Sequence, residues 1–397
     1  MKILVANLGS TSFKYRLYDL GAPGEPMLAR GAVERIGAPQ SKVAFSSSKG
    51  KTDGEQPIPD HGEAVRLCLA QLTDPMLGVI ASADEVAAIG FKAVHAKGVS
   101  GVQRVDESLL VAMEAFNDVA PAHNPPYVKA MRMLSERFPA MSLVAAFETG
   151  FHATIPDRTR RYAVPEAWAT EHGVLRWGFH GASHRYIAER SAELIARPGL
   201  KVISCHLGGS SSLCAIKEGK SVATSMGMSP QSGLFQNNRV GDFDPFALPA
   251  VMRATGMSFE QTLSVLASQS GLLGLCGVND LRDVEAAADS GDAKAQLALE
   301  MFVTSIRHYL GAYLVELGDT DAIVFTAGIG ENSSRIRSMV CQGLEFFGIH
   351  LNTELNEAVS GEHKISSADS RVEVWVIPTN EEIIVARQAR DLLSGAV

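Results

Sequence analysis

The sequence predicts an α/β protein made of two copies of one architecture, and three observations carry that reading. First, two segments about 200 residues apart follow one pattern: Val5-Ala6-Asn7-Leu8-Gly9-Ser10-Thr11-Ser12-Phe13-Lys14 and Ser204-Cys205-His206-Leu207-Gly208-Gly209-Ser210-Ser211-Ser212-Leu213. Each runs from an apolar stretch through a polar residue, Leu-Gly and small hydroxyl residues into a second apolar-rich stretch, which reads as strand, tight turn, strand. Second, each hairpin is followed by strand–helix units. Third, a chain of 397 residues favours two domains over one. Glycine lets the turn close without a Cβ clash, and a short turn aims N–H groups and hydroxyls at an anion. Two such turns point to a phosphate chain held between two halves.

In chain order, strands are expected at 2–7, 13–20 and around 27–35. The stretch 46–60, rich in Ser, Lys, Gly and Asp, reads as an exposed loop. Helices are expected at 62–72, 106–117 and 125–138, with buried strands at 86–95 and 142–147 between them. The second set has strands at 201–206, 212–217 and 322–326 and helices at 183–195, 245–254, 258–268 and 293–317. Apolar residues recur at helical spacing along 293–317, which makes it a core helix first and a homodimer surface second. A strand at 372–377 and a helix at 381–393 finish the chain. The domain expectation is one lobe of residues 1–150 plus the helix 381–397 and a second lobe of residues 151–380.

Composition narrows the function class. Hydrophobic residues make up 46% and charged residues 20%, ordinary for a globular protein with a sizeable core. A net charge of −8 does not suggest a nucleic-acid or anionic-membrane partner. The five cysteines, Cys68, Cys205, Cys214, Cys276 and Cys341, are scattered, apolar in context and without metal-ligand spacing. They read as free thiols of a reducing compartment. No run approaches the ~20 apolar residues of a membrane span. The first strand begins almost at once, which leaves no room for a signal peptide. The expectation is a soluble cytoplasmic protein.

Several segments are candidates for chemistry. Phe325-Thr326-Ala327-Gly328-Ile329-Gly330-Glu331-Asn332 follows an apolar strand and precedes a helix-like segment, a context that admits a nucleotide close to the backbone. It lacks the longer dinucleotide spacing. Histidines sit in Ala120-Pro121-Ala122-His123-Asn124-Pro125, after Phe147-Glu148-Thr149-Gly150-Phe151 at His152, and in Trp177-Gly178-Phe179-His180-Gly181-Ala182-Ser183-His184. Glycines on either side of Phe179-His180 leave that histidine little steric cover, and Ser183 with His184 is placed to cap the next helix. Arg239, in Asn237-Asn238-Arg239-Val240-Gly241-Asp242-Phe243-Asp244-Pro245, has two readings. One is a loop arginine paired with Asp242 or Asp244; the other is a planar fork aimed at phosphoryl oxygens.

Taken in order, Asn7–Lys14, Ala120–Pro125, Phe147–His152, Phe179–His184, His206–Ser212, Ser225–Pro245, Ser270–Asp283, Thr326–Asn332 and Pro378–Glu382 resemble the motifs of the acetate kinases. That family lies within the acetate and sugar kinase, heat-shock protein and actin superfamily. The resemblance spans the chain. It implies duplicated ribonuclease-H-like (actin-like ATPase) domains, a nucleotide cleft between them and a homodimer. It also implies transfer of the γ-phosphoryl of ATP to a short carboxylic acid, acetate first, giving ADP and an acyl phosphate, with the acid- and phosphate-binding lobe in 1–150 plus 381–397 and the nucleotide-binding and dimerisation lobe in 151–380.

By the same resemblance, Asn7 and Glu381 hold Mg²⁺, and oxygen ligands suit that ion. Ser10, Ser12 and Lys14 approach the phosphates from one side, and His206, Gly208, Gly209, Ser210, Ser211 and Ser212 from the other. Asp280, Leu281 and Arg282, with Gly328, Ile329, Gly330, Glu331 and Asn332, fall at the adenosine. Glu148, His180 and Arg239 match the catalytic positions, and Lys92 that of an arginine for the substrate carboxylate. Val94, Ala122, His123, Phe179 and Pro230 fall at the acid. The acid is already an anion at neutral pH, so the task is to bring two anions together, by positive charge placed where negative charge gathers.

Several positions depart from the family pattern. Phe91-Lys92-Ala93-Val94-His95-Ala96-Lys97 stands for His-Arg-Val-Val-His-Gly-Gly, Glu148 for aspartate, Ala122 for leucine, Gly209 for asparagine, and Asn237-Asn238 for Gly-Thr. Most of these border the acid, so the expectation is an altered acid preference with nucleotide and metal binding retained. A propionate or other small-acid kinase is the close alternative. A catalytically weak nucleotide-binding switch is the alternative from another class.

Overall fold

The computed structural model describes residues 1–120 and 123–396. The chain divides into two compact units, Met1–Gly150 with Asn380–Val397, and Phe151–Thr379.

The first unit holds eight strands: β1 (Lys2–Gly9), β2 (Ser12–Asp19), β3 (Met27–Glu34), β4 (Ser41–Ser47), β5 (Gly50–Gln56), β6 (Val86–Ala93), β7 (Val102–Arg104) and β8 (Ser142–Phe147). They lie in the order β5-β4-β3-β2-β1-β6-β8-β7. Strands β1 to β5 form an antiparallel meander, whereas β6 runs parallel to β1 and β8 parallel to β6. Gly9 pairs with Ser12, so Ser10-Thr11 is the whole turn of the first hairpin. Alternation along the strands sends Leu4, Ala6 and Leu8, then Phe13, Tyr15 and Leu17, to one face. There they meet Val65, Cys68 and Leu72 of the helix His61–Leu72, and Val128, Met131 and Leu134 of the helix Asn124–Arg137. Full burial of one such aliphatic side chain contributes about 1.5–3 kcal/mol.

The opposite face of the sheet takes the helix Glu381–Leu393, which buries Ile383, Ile384, Val385, Ala386 and Ala389. Contact there is close: a Cβ on Gly90 of β6 would lie 3.0 Å from Val385 Cγ1. Residues 46–60, expected as a loop, instead supply the end of β4 and all of β5. Polarity misled because β5 is an edge strand with no buried residue, so it carries no apolar alternation.

The second unit holds β9 (Lys201–His206), β10 (Ser212–Lys217), β11 (Lys220–Thr224), β12 (Ala322–Thr326), β13 (His363–Lys364) and β14 (Glu373–Val376), in the order β11-β10-β9-β12-β14-β13. Here too an antiparallel hairpin and a third strand adjoin two strands parallel to the first. The series β11-β10-β9-β12-β14 therefore repeats β3-β2-β1-β6-β8, and the duplication read from two hairpins is present in the topology. The helix Ala293–Leu317 turns Ala295, Leu299, Phe302, Ile306, Leu310 and Tyr313 into this unit's core. Strand β11 and the helices Gly271–Cys276, Leu281–Asp289 and Ala327–Asn332 were not expected, whereas the helix-like segment after Asn332 is the helix Ser334–Cys341. Two of the three unexpected helices have six residues, too short for the hydrophobic period to register.

Four of the free cysteines are buried and Cys276 is half-buried. Among the described residues no helix is long and apolar enough to cross a membrane.

Candidate functional site

In the first unit, chemistry-bearing side chains gather where β1, β6 and β8 end. Asn7, Lys92 and Glu148 lie at the carboxyl ends of these three mutually parallel strands, the usual place for ligands in such sheets. The helix Glu381–Leu393 begins beside them, its first turn capped by Asn380, whose Oδ1 accepts from the Ile383 N–H at 3.2 Å. Lys92 Nζ lies 2.5 Å from Glu381 Oε2 and 3.5 Å from Glu148 Oε1. Lysine at 92 is expected to face a substrate carboxylate; in the structure its ammonium lies between two carboxylates of the protein. Burial works to lower the Lys92 pKa, but the charges of Glu148 and Glu381 outweigh it and hold the pKa above the usual lysine value. Glu148 is only 5% exposed.

Asn7 Nδ2 donates to Glu382 Oε1 at 3.2 Å, and among the described residues the buried Asn7 Oδ1 has no hydrogen-bond partner. Glu382 also pairs with Arg16 at 3.1 Å, and the Tyr127 hydroxyl accepts from the Leu8 N–H. Glu382, Arg16 and Tyr127 were missed by sequence reasoning, although Glu382 was within reach as the neighbour of Glu381. Lys14 pairs at the surface with Glu34. Ser10 lies in the turn of the first hairpin and Ser12 begins its second strand, His123 precedes the helix Asn124–Arg137, and Val94 follows β6 half-buried. Ala122 lies outside the described residues.

In the second unit the turn between β9 and β10 organises the site. Ser212 Oγ lies 2.8 Å from both His180 Nδ1 and His184 Nε2. A hydroxyl has one hydrogen, so it can donate to only one of the two rings. His206 stacks on His180 with centroids 4.0 Å apart, and its Nδ1 lies 2.8 Å from Ser183 Oγ. Ser183 and His184 were expected to cap the helix Gly181–Ile195. They lie inside its first turn, and their side chains serve His206 and Ser212 instead. The residue preceding the helix is His180 itself, in the left-handed region at φ 58°, a strained conformation for a side-chain-bearing residue. Gly178, at φ +70°, allows the approach, since a Cβ there would lie 2.6 Å from the His152 ring.

Arg239 reaches the same turn. Its Nη1 donates to Ser210 Oγ and to Gln236 Oε1, both at 3.2 Å, and more weakly to the Pro230 carbonyl. Among the described residues it pairs with no carboxylate. The expected local partners are engaged elsewhere: Asp242 accepts from Tyr309 and the Gly233 N–H, and Asp244 from the Phe246 N–H. Burial pulls the Arg239 pKa below the usual arginine value, yet a guanidinium stays charged at neutral pH.

The turn is fastened to the third glycine segment. The Leu207 N–H donates to the Thr326 carbonyl, and the Ile329 and Gly330 N–H groups donate to the Leu207 carbonyl, at 2.8–3.0 Å. Gly328 to Asn332 lie within the short helix Ala327–Asn332, not in an open turn. Burial raises the pKa of Glu331, which accepts from the Thr379 N–H. Asp280 caps the helix Leu281–Asp289 and pairs with exposed Arg282, which holds its carboxyl down at about 2. Phe179 and Pro230 are buried.

Comparison with known proteins follows the same lines. The family model described as "Acetokinase family" matches residues 2–387. An acetate kinase of Carboxydothermus hydrogenoformans is 42% identical over 397 residues, covering 99% of each chain. The crystal structure of Porphyromonas gingivalis acetate kinase is similar with a TM-score of 0.88, 37% identity and 99% of each chain covered. A propionate kinase from Francisella tularensis also gives a TM-score of 0.88, at 32% identity over 98% of each chain.

Proposed function

The chain belongs to the acetokinase family, and from this we propose that it catalyses reversible ATP-dependent phosphorylation of a short-chain carboxylate, acetate first, to an acyl phosphate. One observation carries the reading: Arg239 is a half-buried cation held by neutral oxygens, on the turn that also holds His180. A guanidinium with no carboxylate partner keeps its charge available for the phosphoryl oxygens, where negative charge gathers as two anions meet. His180 is directed by Ser212 and stacked on His206, so it can donate to the same developing charge. We assign acid and phosphate binding to the first unit, and nucleotide binding and dimerisation to the second.

The residues fit a magnesium ion. Asn7 Oδ1 is a buried acceptor without a partner among the described residues, and the carboxylate of Glu382 lies beside the Asn7 amide, an oxygen ligand of the kind this ion prefers. Among the described residues no three His, Cys, Asp or Glu side chains are grouped to hold a metal ion, so the rest of its shell would come from phosphates and water. Asn7 and Glu381 would hold it, and bound there it would screen the charge of the phosphates. The half-buried or buried thiols, none of them paired, fit a reducing compartment, and we place the protein in the cytoplasm as a homodimer.

A propionate-preferring kinase is the second reading, favoured by the Francisella relative and by lysine and glutamate at positions 92 and 148. Relatives named as kinases match the chain from end to end, which disfavours a catalytically silent switch. A hydroxylamine trap with ATP, Mg²⁺ and a panel of acids separates these readings. Hydroxamate from acetate is expected. One added methylene is worth roughly 1–3 kcal/mol in an apolar pocket, so product from propionate or butyrate alone would reassign the substrate. Absence of product with every acid would remove the activity.

A further inference from the structure

Lys92 places one ammonium between two carboxylates, Glu381 Oε2 at 2.5 Å and Glu148 Oε1 at 3.5 Å. The two oxygens can be no farther apart than the sum of those distances. Without a cation there, the half-buried Glu381 and buried Glu148 would repel across a weakly screened gap. Asn7 is on β1 and Lys92 on β6, the adjacent strand, one residue beyond the last register pair Ala6 and Phe91. Asn7, whose buried Oδ1 has no hydrogen-bond partner among the described residues, thus sits on the strand next to the one that carries this cation.

We propose that Lys92 is a built-in counter-ion of the metal site: its ammonium holds Glu381 and Glu148 together in the free protein and must leave Glu381 when a divalent cation binds. Lys92 is therefore a positioning residue that sets the metal affinity of the free protein. A lysine suits this role because it is a compact charge on a four-carbon stem that can swing aside, whereas an arginine fork would bind both carboxylates in a fixed geometry. The proposal rests on the assignment of Glu381 as a metal ligand made above.

The test uses Mn²⁺ as probe, followed by electron paramagnetic resonance on the full chain without nucleotide. Lys92→Met removes the competing charge and keeps an unbranched apolar stem. It is expected to bind Mn²⁺ more tightly than the unaltered protein by on the order of tenfold or more. Lys92→Met combined with Glu381→Gln is expected to lose that gain. Equal or weaker Mn²⁺ binding by a folded Lys92→Met protein overturns the proposal.

A second measurement needs no variant. Amine acylation read by mass spectrometry should label Lys92 faster at saturating Mn²⁺ than in its absence, because the ammonium leaves Glu381. Unchanged or slower labelling overturns the proposal. If the hydroxylamine trap yields product while both measurements fail, the counter-ion role falls and the kinase assignment stands. If the trap also fails, the kinase assignment falls with it.

Discussion

Arg239 and His152 show how one side chain's surroundings decide its chemistry. Arg239 is aimed by Ser210 and Gln236, neither of which neutralises it. Arg239→Ala should therefore lower kcat by on the order of 10²–10³-fold, as loss of a donor to a developing charge does, with the KM for ATP changed only a few-fold. Steady-state kinetics checks this, and an unchanged kcat would take Arg239 out of the reaction. His152 has the opposite setting. Its Nε2 faces the Phe179 carbonyl, which can only accept, so that nitrogen carries the proton and Nδ1 faces Ser221 Oγ. Burial pushes its pKa down to about 4. In the unfolded chain the ring takes a proton below about 6.5. The unfolded state therefore binds more protons between those values, and this histidine's contribution to stability is present at pH 7 and lost as pH falls from 6.5 toward 4. The full loss is on the order of 3 kcal/mol. Imidazole resonances of His152 should stay fixed from pH 8 to 5; a transition near 6.5 would contradict the burial.

At the scale of elements, local signals were legible and long-range ones were not. The two hairpins, the strands Lys201–His206, Ser212–Lys217, Ala322–Thr326 and Ser142–Phe147, and the helices Ala293–Leu317 and Glu381–Leu393 stand where apolar periodicity puts them. The partners of Lys92 are different. Glu381 is 289 residues away, and nothing in either neighbourhood encodes their meeting, because it depends on how a C-terminal helix crosses β6. Arg239 is the converse case: Asp242 and Asp244 are near in sequence on its loop, but they accept from the Gly233 N–H, Tyr309 and the Phe246 N–H. Gly271 is what shapes that loop. At φ +60°, a Cβ there would lie 2.0 Å from the Gln236 carbonyl oxygen and 2.8 Å from that of Arg239. Backbone cannot give way as a flexible side chain does, so Gly271→Ala should displace the Arg239 segment. Both the clash and the left-handed backbone act against it, at a cost of several kcal/mol. Urea unfolding should show the loss, with activity falling even where the protein remains folded. A fully active Gly271→Ala protein of unchanged stability would mean that the loop has another anchor.

For the molecule as a whole, the exposed apolar surface of the second unit bears on assembly. The segments Pro245–Ala247, Leu248–Thr255 and Phe259–Ser268 pack on one another and leave Phe246 87% exposed, with Phe259, Leu263 and Val251 each 40–49% exposed. Single exposed apolar residues are ordinary, but four on adjoining segments form a patch of the kind that marks an interface. The helix Ala293–Leu317 adds Leu297 and Met301, one turn apart on the side away from its buried residues. The core role expected of this helix is thus met by one face. The proposed homodimer is expected to bury Phe246 and Leu263. Phe246→Asp with Leu263→Asp puts a charge on each of two exposed positions, which leaves the core intact while desolvated carboxylates disfavour the interface. Sedimentation velocity should find dimers of the unaltered chain at micromolar concentration and monomers of the doubly substituted one, with far-ultraviolet circular dichroism unchanged. A monomeric unaltered chain would remove the homodimer; a variant that still dimerises would move the interface to another face.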